Sequence, residues 1–359
     1  MTERGEPLNV HDYERLAREA LDPGAYVYFS GGAGDERTMR DNVEAYSRLR
    51  LRPRVLVDVG DATPATTVLD TALSMPLLVA PTALQRLAHP DGEPATARAA
   101  AAAGTVYCMS TLATATPAEV AEAAPGGARW FQLYCFRDRG VSRSLIDQAV
   151  DAGFGAIVLT VDMPFLGRRE SDLRSGFAVP AEVTVPSFAA VRGRQEAATL
   201  AEIIELLDPT LTWDDVEEIA SMSELPLLLK GILTAEDARL AADHGAAAAI
   251  VSNHGGRQLD GVPASLDALP EVVEAVGDRI PVLVDGGIRR GADVVKALAL
   301  GASAALVGRP VVWGLAARGE DGARHVLELL REEVRLALAL LGCPSPEAVT
   351  GAHVSRPLA

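Results

Sequence analysis

The chain has 359 residues, 48% of them hydrophobic, which fits two ordinary domains or one large α/β barrel with insertions. A formal net charge of −16 argues against nucleic acid or an anionic membrane surface as a partner. Cys108, Cys135 and Cys343 lack CxxC spacing, so buried thiols are expected rather than disulfides or a metal site, and the opening MTERGEPLNV lacks a signal-peptide core, which points to the cytoplasm.

In chain order, one helix is expected in an N-terminal arm (residues 1–75), at about His11 to Leu21. Short apolar runs then recur, each ending in glycine, polar residues or charge. They are Leu77–Ala83, Thr105–Thr111, Trp130–Cys135, Ala156–Asp162, Leu227–Gly231, Ala248–Asn253, Pro281–Gly286 and Ala304–Gly308. Between them lie helix-patterned segments such as TPAEVAEAA, SRSLIDQAVDAG and AEDARLAADHG. Eight strands, each leading into a helix, predict a single (β/α)8 barrel over residues 76–310. The absence of GxGxxG after the first strand weighs against a dinucleotide-binding open sheet. The alanine-rich stretch near residue 100 predicts close helix-to-strand packing. Residues 176–211, with Pro180, Pro186 and Pro209 and little periodicity, read as a mobile loop over the site. The apolar spacing of DGARHVLELLREEVRLALALLG, within residues 311–359, predicts C-terminal helices packed outside the barrel.

Barrels collect chemistry at the C-terminal ends of their strands. At the sixth, an apolar run empties into Ser252-Asn253-His254-Gly255-Gly256-Arg257. His254 can take a proton near neutral pH, and Arg257 offers a planar fork of donors to a carboxylate. A base and an anion anchor at one strand end imply proton removal from an anionic substrate. Arginine is used almost throughout in place of lysine; the exceptions are Lys230 and Lys296. Lys230 ends a strand, where a compact cation meets an anion or cofactor. Lys296 lies in a helix and reads as part of a solvated face. The ends of the last two strands, Asp285-Gly286-Gly287-Ile288-Arg289 and Gly308-Arg309, combine glycine backbone with charge and predict a phosphate site, although DGG alone is a common tight turn. The other histidines have structural readings: His89 in a loop, His244 at a helix end, and His11, His325 and His353 in outer segments. Glu170 and Asp172 read as charge balance beside the arginine pair.

SNHGGRQLD, TVD-x-P-x-x-GRRE, FQLY, VAPTA, LLKGI and DGGIRRGADVVKALALGA together resemble the FMN-dependent 2-hydroxy acid oxidase and dehydrogenase family, the group of glycolate oxidase, lactate oxidase and mandelate dehydrogenase. The resemblance runs from Tyr28 to Arg309. SNHGGRQLD is its most specific motif; DGGIR is shared with other phosphate-binding barrels. The resemblance implies FMN as cofactor and His254 as the base, with Asp162 orienting it. It implies Arg169 and Arg257 on the substrate carboxylate, and Tyr28 and Tyr134 on the substrate's polar groups. Pro81, Thr82, Ala83, Ser110, Gln132, Thr160 and Ser252 would contact the isoalloxazine and ribityl, and Lys230 the N1/O2 edge. Asp285, Gly286, Gly287, Ile288, Arg289, Gly308 and Arg309 would bind ribityl and phosphate. A homotetramer is implied as well.

Glycolate oxidases carry tryptophan where this chain has Leu112. Leucine leaves apolar room and resembles hydroxymandelate oxidase, which makes mandelate or 4-hydroxymandelate the expected substrate. Ala83 matches oxidase-like relatives and no membrane-inserting segment follows Gly176, so dioxygen is the expected acceptor and hydrogen peroxide the product. The alternatives are a quinone-linked dehydrogenase and, from another class, an FMN barrel isomerase or nucleotide dehydrogenase, which would not need His254 together with Arg169 and Arg257. A non-enzymatic phosphate sensor would leave those three residues without a task.

Overall fold

The computed structural model describes residues 6–188 and 200–355. Eight parallel strands close into a barrel in sequential order: β1 Leu77–Val79, β2 Tyr107–Ser110, β3 Arg129–Leu133, β4 Ile157–Thr160, β5 Leu227–Ile232, β6 Ala248–Val251, β7 Val282–Asp285 and β8 Ala304–Val307, with β8 pairing back onto β1. The expected (β/α)8 barrel is therefore the fold. The strands are shorter than their apolar runs, because the polar end residues peel away from the ladder into loops.

The side-chain alternation of the strands explains both the core and the site. Leu78, Cys108, Trp130, Val158, Leu228, Ile250, Leu283 and Leu306, one from each strand, form a single buried cluster inside the barrel. Two residues further along each strand stand Ala80, Ser110, Gln132, Thr160, Lys230, Ser252, Asp285 and Gly308. The interior is thus apolar up to its last layer, where six of the eight strands turn polar. The opposite mouth is plugged by a hairpin, Thr66–Val68 paired with Thr71–Leu73, whose Val68 and Leu73 join the interior cluster. Its two-residue turn holds Leu69 and Asp70 at positive φ (45° and 59°), as the right-handed strand twist requires.

The arm contains three helices where one was expected: α1 Val10–Ala20, α2 Pro23–Ser30 and α3 Arg37–Ser47. Around the barrel follow α4 Gly92–Ala102, α5 Pro117–Ala123, α6 Arg139–Asp151, α7 Glu170–Ser175, α8 Leu200–Glu205, α9 Trp213–Ala220, α10 Ala235–Asp243, α11 Ser265–Val276, α12 Gly291–Ala299 and α13 Arg309–Leu341. Their starts are capped as the sequence dictates. In α5, Thr116 accepts from Glu119 N at 3.2 Å while the Glu119 carboxylate accepts from Thr116 N at 2.7 Å. Helix α13 bends at Arg318–Gly319 and packs its apolar face outside the barrel on α1, α4 and α12. The alanine-rich α4 packs chiefly against α13, and also against β2. All three cysteines are buried and free.

Two expectations change. Lys296 does not lie on a solvated face: its ammonium donates to the Tyr46 carbonyl at 2.7 Å, tying α12 to the end of α3. The segment 176–211 is not structureless throughout, since α8 lies within it; residues 189–199 of the predicted loop are outside the described residues. Among the described residues, no helix is long and apolar enough to cross a membrane.

Candidate active site

The polar top layer of the barrel floors a cavity at the C-terminal mouth. Every predicted site residue lines it except Asp162 and Ser252, which stand directly behind. His254 sits just past β6 in the left-handed region (φ 60°), followed by Gly255 and Gly256 with φ of 63° and 75°. Histidine tolerates that conformation better than most residues. At Gly256 only glycine serves, because a Cβ would lie 2.6 Å from the Met39 backbone of the arm. This tight turn aims the imidazole across the mouth. Its Nδ1 is 3.0 Å from Asp162 Oδ1 and its Nε2 is 3.4 Å from the Tyr134 hydroxyl, while its backbone N donates to Ser252 Oγ at 3.0 Å.

Burial pulls the His254 pKa below its ordinary value, opposed by the Asp162 carboxylate and reinforced by Lys230. Burial pushes Asp162 the other way, but the His254 contact and the Lys230 charge outweigh it and hold the carboxyl below its usual range. At neutral pH the pair is therefore a neutral imidazole beside a carboxylate, with the tautomer fixed so that Nε2 is free to accept. Burial, with the Asp162 charge, also keeps the Tyr134 phenol protonated.

Two arginines flank this base. Arg257 spends Nη1 on the carbonyls of Tyr28 (2.7 Å) and Gly31 (2.8 Å), at the C-terminal end of α2, and its guanidinium lies 5.2 Å from the Tyr28 ring centre. Arg169 Nε reaches the Arg257 carbonyl at 3.5 Å. Burial and the Arg169 charge lower Arg257 to about 10, so it stays cationic at neutral pH. Two arginines beside a neutral base are suited to an anionic substrate with an acidic proton.

Across the floor, Lys230 pairs with Asp285 Oδ2 at 3.2 Å and donates to Ser252 Oγ at 2.9 Å. Burial disfavours its charge, but the carboxylates of Asp285 and Asp162 prevail and raise its pKa. Gln132 accepts from Ser110 Oγ (3.3 Å) and donates to Thr160 Oγ1 (3.0 Å), linking β2, β3 and β4. Buried Asp285 Oδ1 has no hydrogen-bond partner among the described residues, an acceptor suited to a hydroxyl-bearing ligand. Gly286 and Gly287 keep the next turn open, and a Cβ on Gly287 would fall 1.9 Å from the Asn42 carbonyl oxygen. Arg289 stacks 4.8 Å from the Trp313 ring centre, and α13 begins at Arg309 with its N–H groups at the cavity. The Arg309 side chain has a second task. It donates to carbonyls of Phe29 (2.9 Å), Gly31 (2.8 Å) and Gly255 (3.0 Å) while lining the cavity, so it also ties the arm to the site. An unpartnered buried carboxylate oxygen, a buried cation and a glycine–arginine anion cradle together fit FMN.

Several contributors lie outside the expected set. Gln258 clamps the loop after β4, donating to the carbonyls of Asp162 (3.0 Å) and Phe165 (2.9 Å) and accepting from Gly167 N (3.1 Å). Buried Glu93 accepts from Gln85 N (3.1 Å) and Thr114 N (2.8 Å), fixing the loops that carry Thr82 and Leu112. Met163, Leu166, Leu200 and Ile204 add apolar lining to the cavity that Leu112 also lines. Gln258 stood inside the most specific motif, so its presence was visible although its task was not.

Fold and site together define a flavin-binding barrel oxidoreductase of α-hydroxy anions. The chain matches the FMN-dependent dehydrogenase family over residues 17–356 and belongs to it. It is 51% identical over 355 residues to glycolate oxidase 1 of Zea mays, covering 98% of this chain and 96% of that one. It is 49% identical over 352 residues to an L-lactate oxidase of Nostoc sp., covering 96% of each. A mandelate oxidase structure with (S)-2-phenylpropionate superposes with a TM-score of 0.89 at 45% identity, covering 98% of both chains. The cofactor of the family is FMN, and the chain is an FMN-dependent 2-hydroxy acid oxidase by its homologues.

Proposed function

We propose that the protein oxidises an aryl (S)-2-hydroxy acid, such as mandelate or 4-hydroxymandelate, to the 2-oxo acid while dioxygen becomes hydrogen peroxide. The observation that carries the aryl assignment is the apolar wall of Leu112, Met163, Leu166 and Ile204 in the same cavity as Arg169, Arg257 and His254. Arg169 and Arg257 hold the carboxylate and so fix the α-carbon. The His254 Nε2 accepts a proton from the substrate, Asp162 stabilises the imidazolium that results, and Tyr134 hydrogen-bonds the substrate oxygen. FMN, when bound, accepts the two electrons and passes them on. Lys230 would supply positive charge beside the bound flavin, Asp285 would accept a hydroxyl hydrogen bond from the cofactor, and the Gly286–Arg289 turn with the start of α13 would hold its phosphate. Relatives that are oxidases for glycolate, lactate and mandelate support dioxygen as acceptor. A cytoplasmic homotetramer is part of the same reading; light scattering tests the assembly.

The test is anaerobic bleaching of the flavin by a panel of hydroxy acids, followed by peroxide yield in air against dye-linked turnover without oxygen. Fast bleaching by (S)-mandelate with stoichiometric peroxide is expected. Preference for glycolate, or turnover with dye alone, overturns the aryl or the oxygen assignment respectively.

A further inference from the structure

Arg289 ends the glycine turn after β7 and lines the cavity at its anion-binding end. Its Nη1 donates to the adjoining Ile288 carbonyl at 2.9 Å, and no carboxylate among the described residues pairs with it. Asp293, the acid of the next helix, spends its Oδ2 on the backbone N–H groups of Arg289 (3.0 Å) and Arg290 (2.9 Å). What holds the guanidinium is an aromatic face. Its central carbon lies 4.8 Å from the centre of the Trp313 ring.

Trp313 stands in the first turns of α13 and is 1% exposed, so packing fixes the plane of its indole. Stacking uses only the face of a guanidinium, whose N–H donors lie in its plane. The donors not given to Ile288 therefore stay available to an anion that enters the cavity. The indole Nε1 is buried and has no hydrogen-bond partner among the described residues. A buried orphan donor destabilises, and phenylalanine would fill much of this space without one. The broad face under the cation, which tryptophan supplies best among the aromatic side chains, is what the indole contributes. Trp313 does not itself line the cavity, so it acts through Arg289.

We propose that Trp313 is a positioning residue for cofactor loading, its indole holding Arg289 as a preset clamp for the FMN phosphate. The proposal rests on the reading of the Gly286–Arg289 turn as the phosphate cradle and adds what sets that cradle beforehand. An unsupported arginine loses the freedom of several rotatable bonds when it closes on a phosphate; a stacked one has already lost much of it. A cation over an aromatic face is worth about two- to thirtyfold in a binding constant. The gain falls on the phosphate end of the cofactor and not on the flavin ring. Riboflavin, with the same ring and ribityl but no phosphate, is therefore the internal control.

The experiment titrates the full chain, freed of flavin, with FMN and with riboflavin, and follows the quenching of flavin fluorescence. The variants are Trp313→Phe, Trp313→Leu, Arg289→Leu and the double variant with leucine at both positions. Trp313→Leu should weaken FMN about tenfold and riboflavin by less than about twofold. Trp313→Phe, which keeps a smaller face, should lie between wild type and Trp313→Leu. Once Arg289 is leucine, Trp313→Leu should change the FMN-to-riboflavin ratio little further, because the cation it supports is gone. FMN release from the diluted holoenzyme should quicken in the same order, which reads any variant recovered only with its cofactor. The inference is overturned if Trp313→Leu weakens both flavins equally, if Trp313→Phe falls as far as Trp313→Leu, or if the two leucine substitutions act additively. If Arg289→Leu itself leaves the ratio unchanged, the phosphate reading of the cradle fails, and the inference with it.

Discussion

Replacing Asp162 with asparagine removes one charge from a buried pair and leaves its shape. The carboxylate lies 3.0 Å from His254 Nδ1, and it opposes the burial that disfavours the imidazolium. Two unit charges with centres about 4 Å apart attract by about 4 kcal/mol at an effective dielectric constant of about 20. The imidazole carries part of its final charge at the transition state, so about half of this, roughly 2 kcal/mol, is lost. Flavin reduction should slow about thirtyfold. The pH profile gives a second, independent sign. Neutral His254 is the active form, so the rate falls on the acid side as the imidazole protonates, at a pH below the ordinary histidine value of about 6.5. Removing the carboxylate lowers that pKa further. The plateau should therefore drop while the acid limb moves to lower pH. Stopped-flow reduction under anaerobic conditions from pH 5 to 8, on protein with full FMN content, measures both. An unchanged plateau, or a limb that moves upward, would refute the assignment of Asp162 as the charge partner of His254.

Arg257→Lys should weaken substrate binding and slow reduction together, because a point charge cannot hold a carboxylate and the Tyr28 and Gly31 carbonyls as the planar fork does; an unaltered substrate-dependence of the reduction rate would place the carboxylate elsewhere. Leu112→Trp should penalise mandelate relative to glycolate by about ten- to a hundredfold in kcat/KM, the equivalent of about 1–3 kcal/mol of overpacking, and steady-state kinetics with both acids reads the ratio directly. Gly287→Ala places a Cβ 1.9 Å from the Asn42 oxygen at a φ of 82°, so the protein should melt several degrees lower and lose FMN on gel filtration; an unchanged Tm and FMN content would show that the turn yields.

The barrel was legible because its strands are buried on both faces and read as continuous apolar runs. The site was legible because polarity switches at the same layer of six of the eight strands, at Ser110, Gln132, Thr160, Lys230, Ser252 and Asp285. What escaped depends on long-range contacts that leave no local pattern. Lys296 looked solvated because only the fold brings the Tyr46 carbonyl to it. That the Arg309 guanidinium also ties the end of α2 to the site was not visible, because the carbonyls of Phe29 and Gly31 are far away in sequence. The hairpin at Thr66–Leu73 was invisible because Leu69 and Asp70, rather than glycine or asparagine with glycine, make its turn. Gln258 acts through backbone groups of another loop, and no spacing rule announces that.

The claim at the centre is that His254 is the base acting on a hydroxy acid held by Arg169 and Arg257. The direct measurement is anaerobic flavin reduction by (S)-mandelate in His254→Ala protein that retains FMN. Asp285, Arg289 and the start of α13, the groups proposed to hold the cofactor, do not rely on the imidazole, so the flavin spectrum should persist while the reduction rate falls by about 10²–10⁴. Reduction at near the wild-type rate would contradict the account.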